Sequence, residues 1–385
     1  MNAAHKNTPM QDRTAFVDFY ESNNISPVTQ DISDLNQHFQ RRESLFYSLG
    51  LLPAFVKGIK VLEFGPGSGH NALYTASLSP GQYELVDGNL KGVQETRERL
   101  TGFTTAQIKV HHALFDAFHS DTKFDLVWAE GCLPHQSQPL PLLEHVASFV
   151  QEGGVVCVSI NNGISYLSET FRRLFRDRFF DNAGNVHAQA RQLIPYLQPH
   201  LKNLRGMSRP VKDWILDSIV QPMQDRRLLS IPEVIACLND RFDVYGSSPR
   251  FMTDWRWYKD IVGNNRKFNE LALTNYYQNN LNLLDYRFEF PVHTVAYGEK
   301  LEELGSQSWD LMCKIEHGND SAWKDFFTLI QELCVHIEKL APVTAEAIRE
   351  AVTLLQSGKP DMKLKQFPYW WGRGEQYVSL IRKSD

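Results

Sequence analysis

Cysteine is scarce, and what there is forms no pattern. Cys132, Cys157, Cys237, Cys313 and Cys334 are the only five in 385 residues. The number is odd, the positions are scattered and no C-x-x-C occurs, which excludes a readable disulfide framework or zinc motif and points to a reducing, cytoplasmic setting. Long apolar runs are absent too, so no segment reads as a bilayer span. The first residues, Met1 to Lys6, lack the apolar centre of a secretory signal. Positive charge is in deficit: 40 Lys and Arg face 45 Asp and Glu, a formal net charge of −5. Proteins that grip phosphates usually carry a basic surplus, so a nucleic-acid partner is not expected. There is no internal repeat and no low-complexity tract. The length exceeds that of one ordinary domain, so a core with additions is expected.

What the chain does contain is a concentrated glycine turn. Lys60-Val61-Leu62-Glu63-Phe64 reads as an apolar strand, and Gly65-Pro66-Gly67-Ser68-Gly69-His70 breaks it. A helix-compatible run, Asn71 to Leu78, follows. Glycine lets the backbone turn sharply and approach a ligand, and a helix start offers free N–H groups. Strand, turn and helix together make a nucleotide cradle. A dinucleotide fingerprint would need a small residue at the sixth place from Gly65, where His70 stands.

The pattern Glu63-x-Gly65-x-Gly67-x-Gly69 resembles motif I of the class I S-adenosylmethionine (SAM)-dependent methyltransferases. Three further landmarks follow in that family's order. Gln82 to Gly88 carries Asp87 at the end of a second strand. Lys123 to Glu130 resembles the fourth strand. Gln151-Glu152-Gly153-Gly154 leads into Val155–Ile160 as the fifth. The resemblance covers residues 59–162 and implies an α/β, Rossmann-like sheet of seven mostly parallel strands, the last antiparallel beside the fifth. It implies SAM as cofactor. Gly65, Pro66, Gly67 and Gly69 would pass close to its methionine and ribose, Glu63 would orient the loop or the amino group, and Asp87 would accept from the ribose hydroxyls. Leu114 and Phe115 would pack on the adenine, with Asp116 as a polar substitute. Glu130 would face the methyl donor and acceptor.

Outside that core the chain reads as helical additions. Residues 1–58 end in an amphipathic helix after Asp31, with Leu35, Phe39, Phe46 and Leu49 along one side. In the family such a segment often covers the cofactor, and Arg42 or Tyr47 would then meet its carboxylate. Helical insertions are expected at 163–239 and 250–366. Arg241–Gly246 alternates as a sixth strand and Tyr377–Arg382 as the seventh, so 240–249 and 367–384 complete the core. Both insertions leave from the carboxyl ends of strands, which would place them over an acceptor site.

For an oxygen acceptor a base of near-neutral pKa is wanted. His135, after the fourth strand, is the first choice and Asp254 the second. Asn161, at the end of the fifth strand, and Arg250, Trp255, Arg256 and Trp257 read as acceptor contacts. Aromatic faces suit sugar C–H groups, and arginine suits carboxylate or phosphate. The arginines of 172–178 extend this reading to an anionic acceptor, while a solvated basic face reads equally well. The expectation is O-methylation of a polar or anionic small molecule or glycan precursor. A SAM-fold scaffold without catalysis, a nucleic-acid methyltransferase and a nicotinamide oxidoreductase stand as alternatives.

Overall fold

The structure, a computed structural model, describes residues 15–23, 25, 30–103, 106–134, 136–180, 184–223 and 227–384. Among these residues there are seven strands: β1 Lys60–Phe64, β2 Gln82–Asp87, β3 Gln107–His112, β4 Phe124–Ala129, β5 Val150–Ile160, β6 Phe242–Ser248 and β7 Gln376–Arg382. They form one sheet in the order β3-β2-β1-β4-β5-β7-β6. β1 pairs in parallel with β2 and β4, which pair in turn with β3 and β5. β7 runs antiparallel between β5 and β6, with Ser159 opposite Tyr377 and Ser247 opposite Val378. β6 is therefore parallel to β5, and β1, β2, β4, β5 and β6 all end at the same edge of the sheet. In open α/β sheets that edge holds the ligand crevice.

The inner strands are apolar on both faces because helices cover both. In β1 every residue after Lys60 is buried, as expected of a parallel strand between two helical layers. One face carries a core that includes Phe64, Val127, Leu143 and Val156. The other holds Val61, Tyr83, Leu85 and Trp128. The helix Leu35–Ser48 packs on this second face, where Phe46 stacks on Trp128 with centroids 5.1 Å apart. Asp34 caps it by accepting from the Gln37 N–H.

The first insertion contains the helices Leu167–Phe179 and Val186–Lys202, a short helix at Val211–Trp214 continued by the π-turn Ile215–Val220, and Ile231–Leu238 before β6. The second contains Phe268–Asn279, Val295–Glu316, Ala322–Ile337 and Pro342–Ser357. The partition proposed from the sequence describes the path of the chain, whereas the apolar core is continuous across it. Phe171, Trp214, Leu304, Phe326 and Trp370 belong to the same cluster as Val127 and Val156. The two insertions touch at backbone distance: a Cβ on Gly163 would lie 2.2 Å from the Gly305 carbonyl, so only glycine fits there. No helix among the described residues is long and apolar enough to cross a membrane.

The arginines of the Leu167–Phe179 helix correct the sequence reading. Arg172, Arg173 and Arg176 face neither solvent nor a ligand, and only Arg178 at the helix end is exposed. Arg172 and Arg173 are fully buried. The Arg172 guanidinium lies 3.5 Å from the Trp371 ring centroid and donates to the Trp370 carbonyl at 2.9 Å. Arg173 and Arg176 pair with Glu316 at 2.6 and 2.9 Å and donate to the carbonyls of Ser218, Gln221 and Ile219. Those carbonyls end the π-turn, so the basic stripe caps a helix C-terminus.

Candidate functional site

The carboxyl edge of the sheet opens into a cavity of about 570 Å³, within the usual size of small-molecule sites. Its floor is the turn after β1. Gly65, Gly67 and Gly69 have φ of +73°, +57° and +79°. At Gly65 a side chain is excluded twice over, since that φ disfavours L-residues and an added Cβ would lie 2.7 Å from the Cβ of Cys132. Pro66, Gly88, Leu114, Phe115 and Asp116 also line the space.

Two carboxylates stand beneath this floor. Asp87 ends β2, and its oxygens accept from the N–H groups of Gly67 at 2.9 Å and Asn89 at 2.8 Å. Burial pushes its pKa up to about 6 against those hydrogen bonds. Glu63 accepts from the Tyr83 hydroxyl. Burial, reinforced by the Glu130 charge, holds it at about 7. Both sit at the carboxyl ends of strands, where side chains meet the crevice.

Glu130, just after β4, is the most heavily bonded group in the site. Arg42 approaches it as a fork, at 2.7 and 2.8 Å. Asn71 Nδ2 at 3.0 Å, Trp128 Nε1 at 2.8 Å and the Tyr377 hydroxyl at 2.8 Å complete the shell. Burial alone would raise the pKa of Glu130, but Arg42 together with the Tyr377 and Trp128 donors outweighs it and holds the carboxyl below its ordinary value. This ion pair ties the Leu35–Ser48 helix to the sheet. Val17, Tyr20, Gln30, His38, Arg41 and Leu45 continue the wall on that side.

Residues 37–200 match the model of a methyltransferase domain. This part of the chain is a methyltransferase domain, similar to those of the class I S-adenosylmethionine-dependent methyltransferases. No curated protein matches the sequence. Among solved structures, it is similar to a SAM-dependent methyltransferase from Mesorhizobium loti, with 22% identity, 30% of this chain and 51% of the other covered, and a TM-score of 0.26. It is also similar to the N-methyltransferase NodS from Bradyrhizobium japonicum in complex with S-adenosylhomocysteine, at 15% identity, 38% and 74% coverage, and a TM-score of 0.30. A third likeness is the magnesium protoporphyrin IX methyltransferase of Synechocystis, at 18%, 40% and 79%, and 0.32. The match spans about half the Mesorhizobium protein. Overlaps of this size say nothing about substrate.

The cofactor of this methyltransferase fold is SAM, and the residues present fit it. A floor without side chains can receive the aminoacyl chain. Asp87 offers an acceptor to a diol. Leu114 and Phe115 offer an apolar wall, with Phe115 edge-on to Phe64 at 5.7 Å. Eight of the nine proposed cofactor residues line one cavity, namely Glu63, Gly65, Pro66, Gly67, Asp87, Leu114, Phe115 and Glu130, whereas Gly69 belongs to the turn without lining it. Arg42 lines it too but is committed to Glu130. Tyr47 is exposed and donates to Glu43.

The proposed acceptor residues are not brought to the methyltransferase cavity. Asp254 lies outside it, near the surface, and is held by a fork from Arg256 at 2.9 and 2.7 Å, so the geometry gives it no reacting partner. Trp255 is 93% exposed and Trp257 59%. Arg250 donates to the Tyr47 carbonyl. Asn161 is buried and bridges Leu229. His135 lies outside the described residues. Nor do both insertions cover the site. Among the described residues the first contributes Gly206 and Ser208, and the second contributes none. The wall comes instead from the N-terminal segment.

Lining groups that escaped the sequence reading include His38, His70, Glu375 and Tyr377. His38 bonds the His70 carbonyl at 3.1 Å, and burial lowers the His70 pKa to about 4. Glu375 and Tyr377 arrive from the far end of the chain, through the pairing of β7 with β5. The only local signal was the glycine turn Gly372-Arg373-Gly374, which set them at a strand start.

Proposed function

We propose that the protein transfers the methyl group of SAM to an oxygen of a polar small molecule or glycan precursor bound in the same cavity. One observation supports this above all: the cavity is continuous from Asp87 and Leu114–Asp116, past Glu130–Cys132, to Gln136 and Glu375 beyond the ends of β4 and β5. A donor end and a polar acceptor end therefore share one enclosure. Bound there, the sulfonium supplies an activated methyl group. The protein's share is positioning, which in favourable cases lowers a barrier by roughly 7–11 kcal/mol. Glu63 and Asp87 would hold the cofactor, with the Arg42–Glu130 pair fixing the wall beside it.

The anionic part of the reading now rests on Arg41, at the cavity wall, because Arg172, Arg173 and Arg176 are occupied inside the fold and Arg178 does not line the cavity. Trp255, Arg256 and Trp257 would meet only an extended part of a larger acceptor, such as a glycan chain lying across the surface. The test is calorimetry with SAM, followed by S-adenosylhomocysteine release with hydroxyl acceptors offered as a panel. Micromolar binding and turnover with a polar alcohol, phenol or sugar support the proposal. Binding without turnover on any acceptor class would favour the scaffold reading.

A further inference from the structure

We infer that Glu375 is the catalytic base of this site, taking the hydroxyl proton of the acceptor through a carboxylate that shares one phenol, Tyr377, with Glu130. The inference rests on the methyl-transfer reading above and adds the residue that makes an oxygen nucleophile usable. Glu375 lies just before β7, is half-buried and lines the cavity at its acceptor end. The Tyr377 oxygen lies 2.9 Å from Glu375 Oε2 and 2.8 Å from Glu130 Oε1. A phenol has one proton, so it cannot donate fully to both carboxylates. Glu130 is held ionised by the Arg42 fork and accepts also from Asn71 and Trp128. When the phenol proton points to Glu130, the Glu375–Tyr377 contact is satisfied only by a proton on Glu375. When it swings to Glu375, that carboxyl is ionised. The triad thus has two hydrogen-bonded states that differ by one proton, and the proton resides on Glu375, the carboxyl that no cation forks.

The surroundings agree. Ser159 from β5 and Tyr377 from β7 bond Glu375 and favour its ionised form, as does Arg42 from the N-terminal helix. Burial and the neighbouring Glu130 charge act more strongly the other way, and Glu375 is pushed up to about 7. Cys132 and Tyr166 also feel its charge, and both are held protonated by burial. A base serves best when its pKa lies near the working pH. In the step, the acceptor O–H bond breaks and its proton goes to Glu375, which becomes a carboxylic acid. The oxygen forms its bond to the methyl carbon as the methyl–sulfur bond breaks, and the sulfonium charge is cancelled. The proton then leaves to solvent through the cavity.

The test reads the carboxyl group itself. Infrared difference spectra of the S-adenosylhomocysteine complex between acid and mildly alkaline pH should show protonated-carboxyl absorption titrating near 7, to which Glu63 and Glu302 also contribute. Subtracting the Glu375→Gln spectrum from the parent should isolate one band with that midpoint, and Tyr377→Phe, which withdraws a donor to the ionised form, should move the midpoint of that band upward. SAM affinity of Glu375→Gln by calorimetry should stay within about twofold of the parent, a shift too small to be a lost charged contact. A band unchanged in Glu375→Gln overturns the inference. So does a tenfold or greater loss of SAM affinity in that variant, which would make Glu375 a partner of the cofactor's ammonium group. If the parent protein itself fails to bind SAM, the methyl-transfer reading falls instead.

Discussion

At the scale of single residues, Asp87 does two jobs with one carboxylate. It fixes the Gly67 N–H, and so shapes the floor, while its remaining lone pairs face the cavity. Asp87→Ala is expected to weaken SAM binding by about 10–100-fold, the size of a hydrogen bond to a charged group. Calorimetry at neutral pH reads this directly. The pH dependence has a definite sign. Ribose hydroxyls donate to the ionised form, and burial has raised the Asp87 pKa to about 6. SAM affinity should therefore be full above neutrality and fall as pH drops through 6. An affinity flat from pH 5 to pH 8 would remove Asp87 from this role. Asp87 and Glu63 were legible in the sequence because each is fixed by its own strand end. Glu375 was not. It reaches the site only when β7 pairs with β5, a contact between residues more than two hundred positions apart.

At the scale of elements, the Leu167–Phe179 helix and the 250–267 loop show how far composition misleads about exposure. Arginines at helical spacing read as a solvated or ligand-binding face, and tryptophans read as contacts. The structure reverses the first reading for three of the four arginines and leaves the tryptophans at the surface, away from the cavity. Arg172, Arg173 and Arg176 are interior because Glu316, the π-turn carbonyls, the Trp370 carbonyl and the Trp371 ring supply most of the partners that water would. The partners come from three separate elements, so no local pattern announces them. Arg173→Ala leaves the buried Glu316 and two carbonyls short of a donor, and should cost roughly 3–5 kcal/mol of stability. Trp255→Ser together with Trp257→Ser removes two exposed rings and should change stability by no more than about 0.5 kcal/mol. Urea unfolding followed by circular dichroism compares the two. If the arginine variant is the milder, the interior capping account is wrong. The sheet, by contrast, was legible throughout. Its inner parallel strands are buried on both faces and so leave near-continuous apolar runs.

At the scale of the whole molecule, the cavity is closed by parts that meet only through tertiary contacts: the N-terminal helix, the strand ends and the Gly206–Ser208 turn. The backbone bond from Asp31 to the Ser208 carbonyl, at 2.8 Å, joins the first to the last, and Arg42–Glu130 joins the helix to the sheet. A ligand held between these parts must stabilise all of them together. With SAM at one hundred times its dissociation constant the native state should gain about 2.7 kcal/mol, seen as a rise in thermal midpoint, and NAD at the same concentration should give none. The gain should be visible at residues 35–48 as slower amide exchange, because that helix forms one wall. Arg42→Met breaks the tie and leaves Glu130 buried without its cation, which costs roughly 3–5 kcal/mol and loosens the wall. Exchange at 35–48 should then be fast without SAM and only partly slowed by it. Uniform slowing across the sheet with no change at 35–48 would place the ligand elsewhere in the fold.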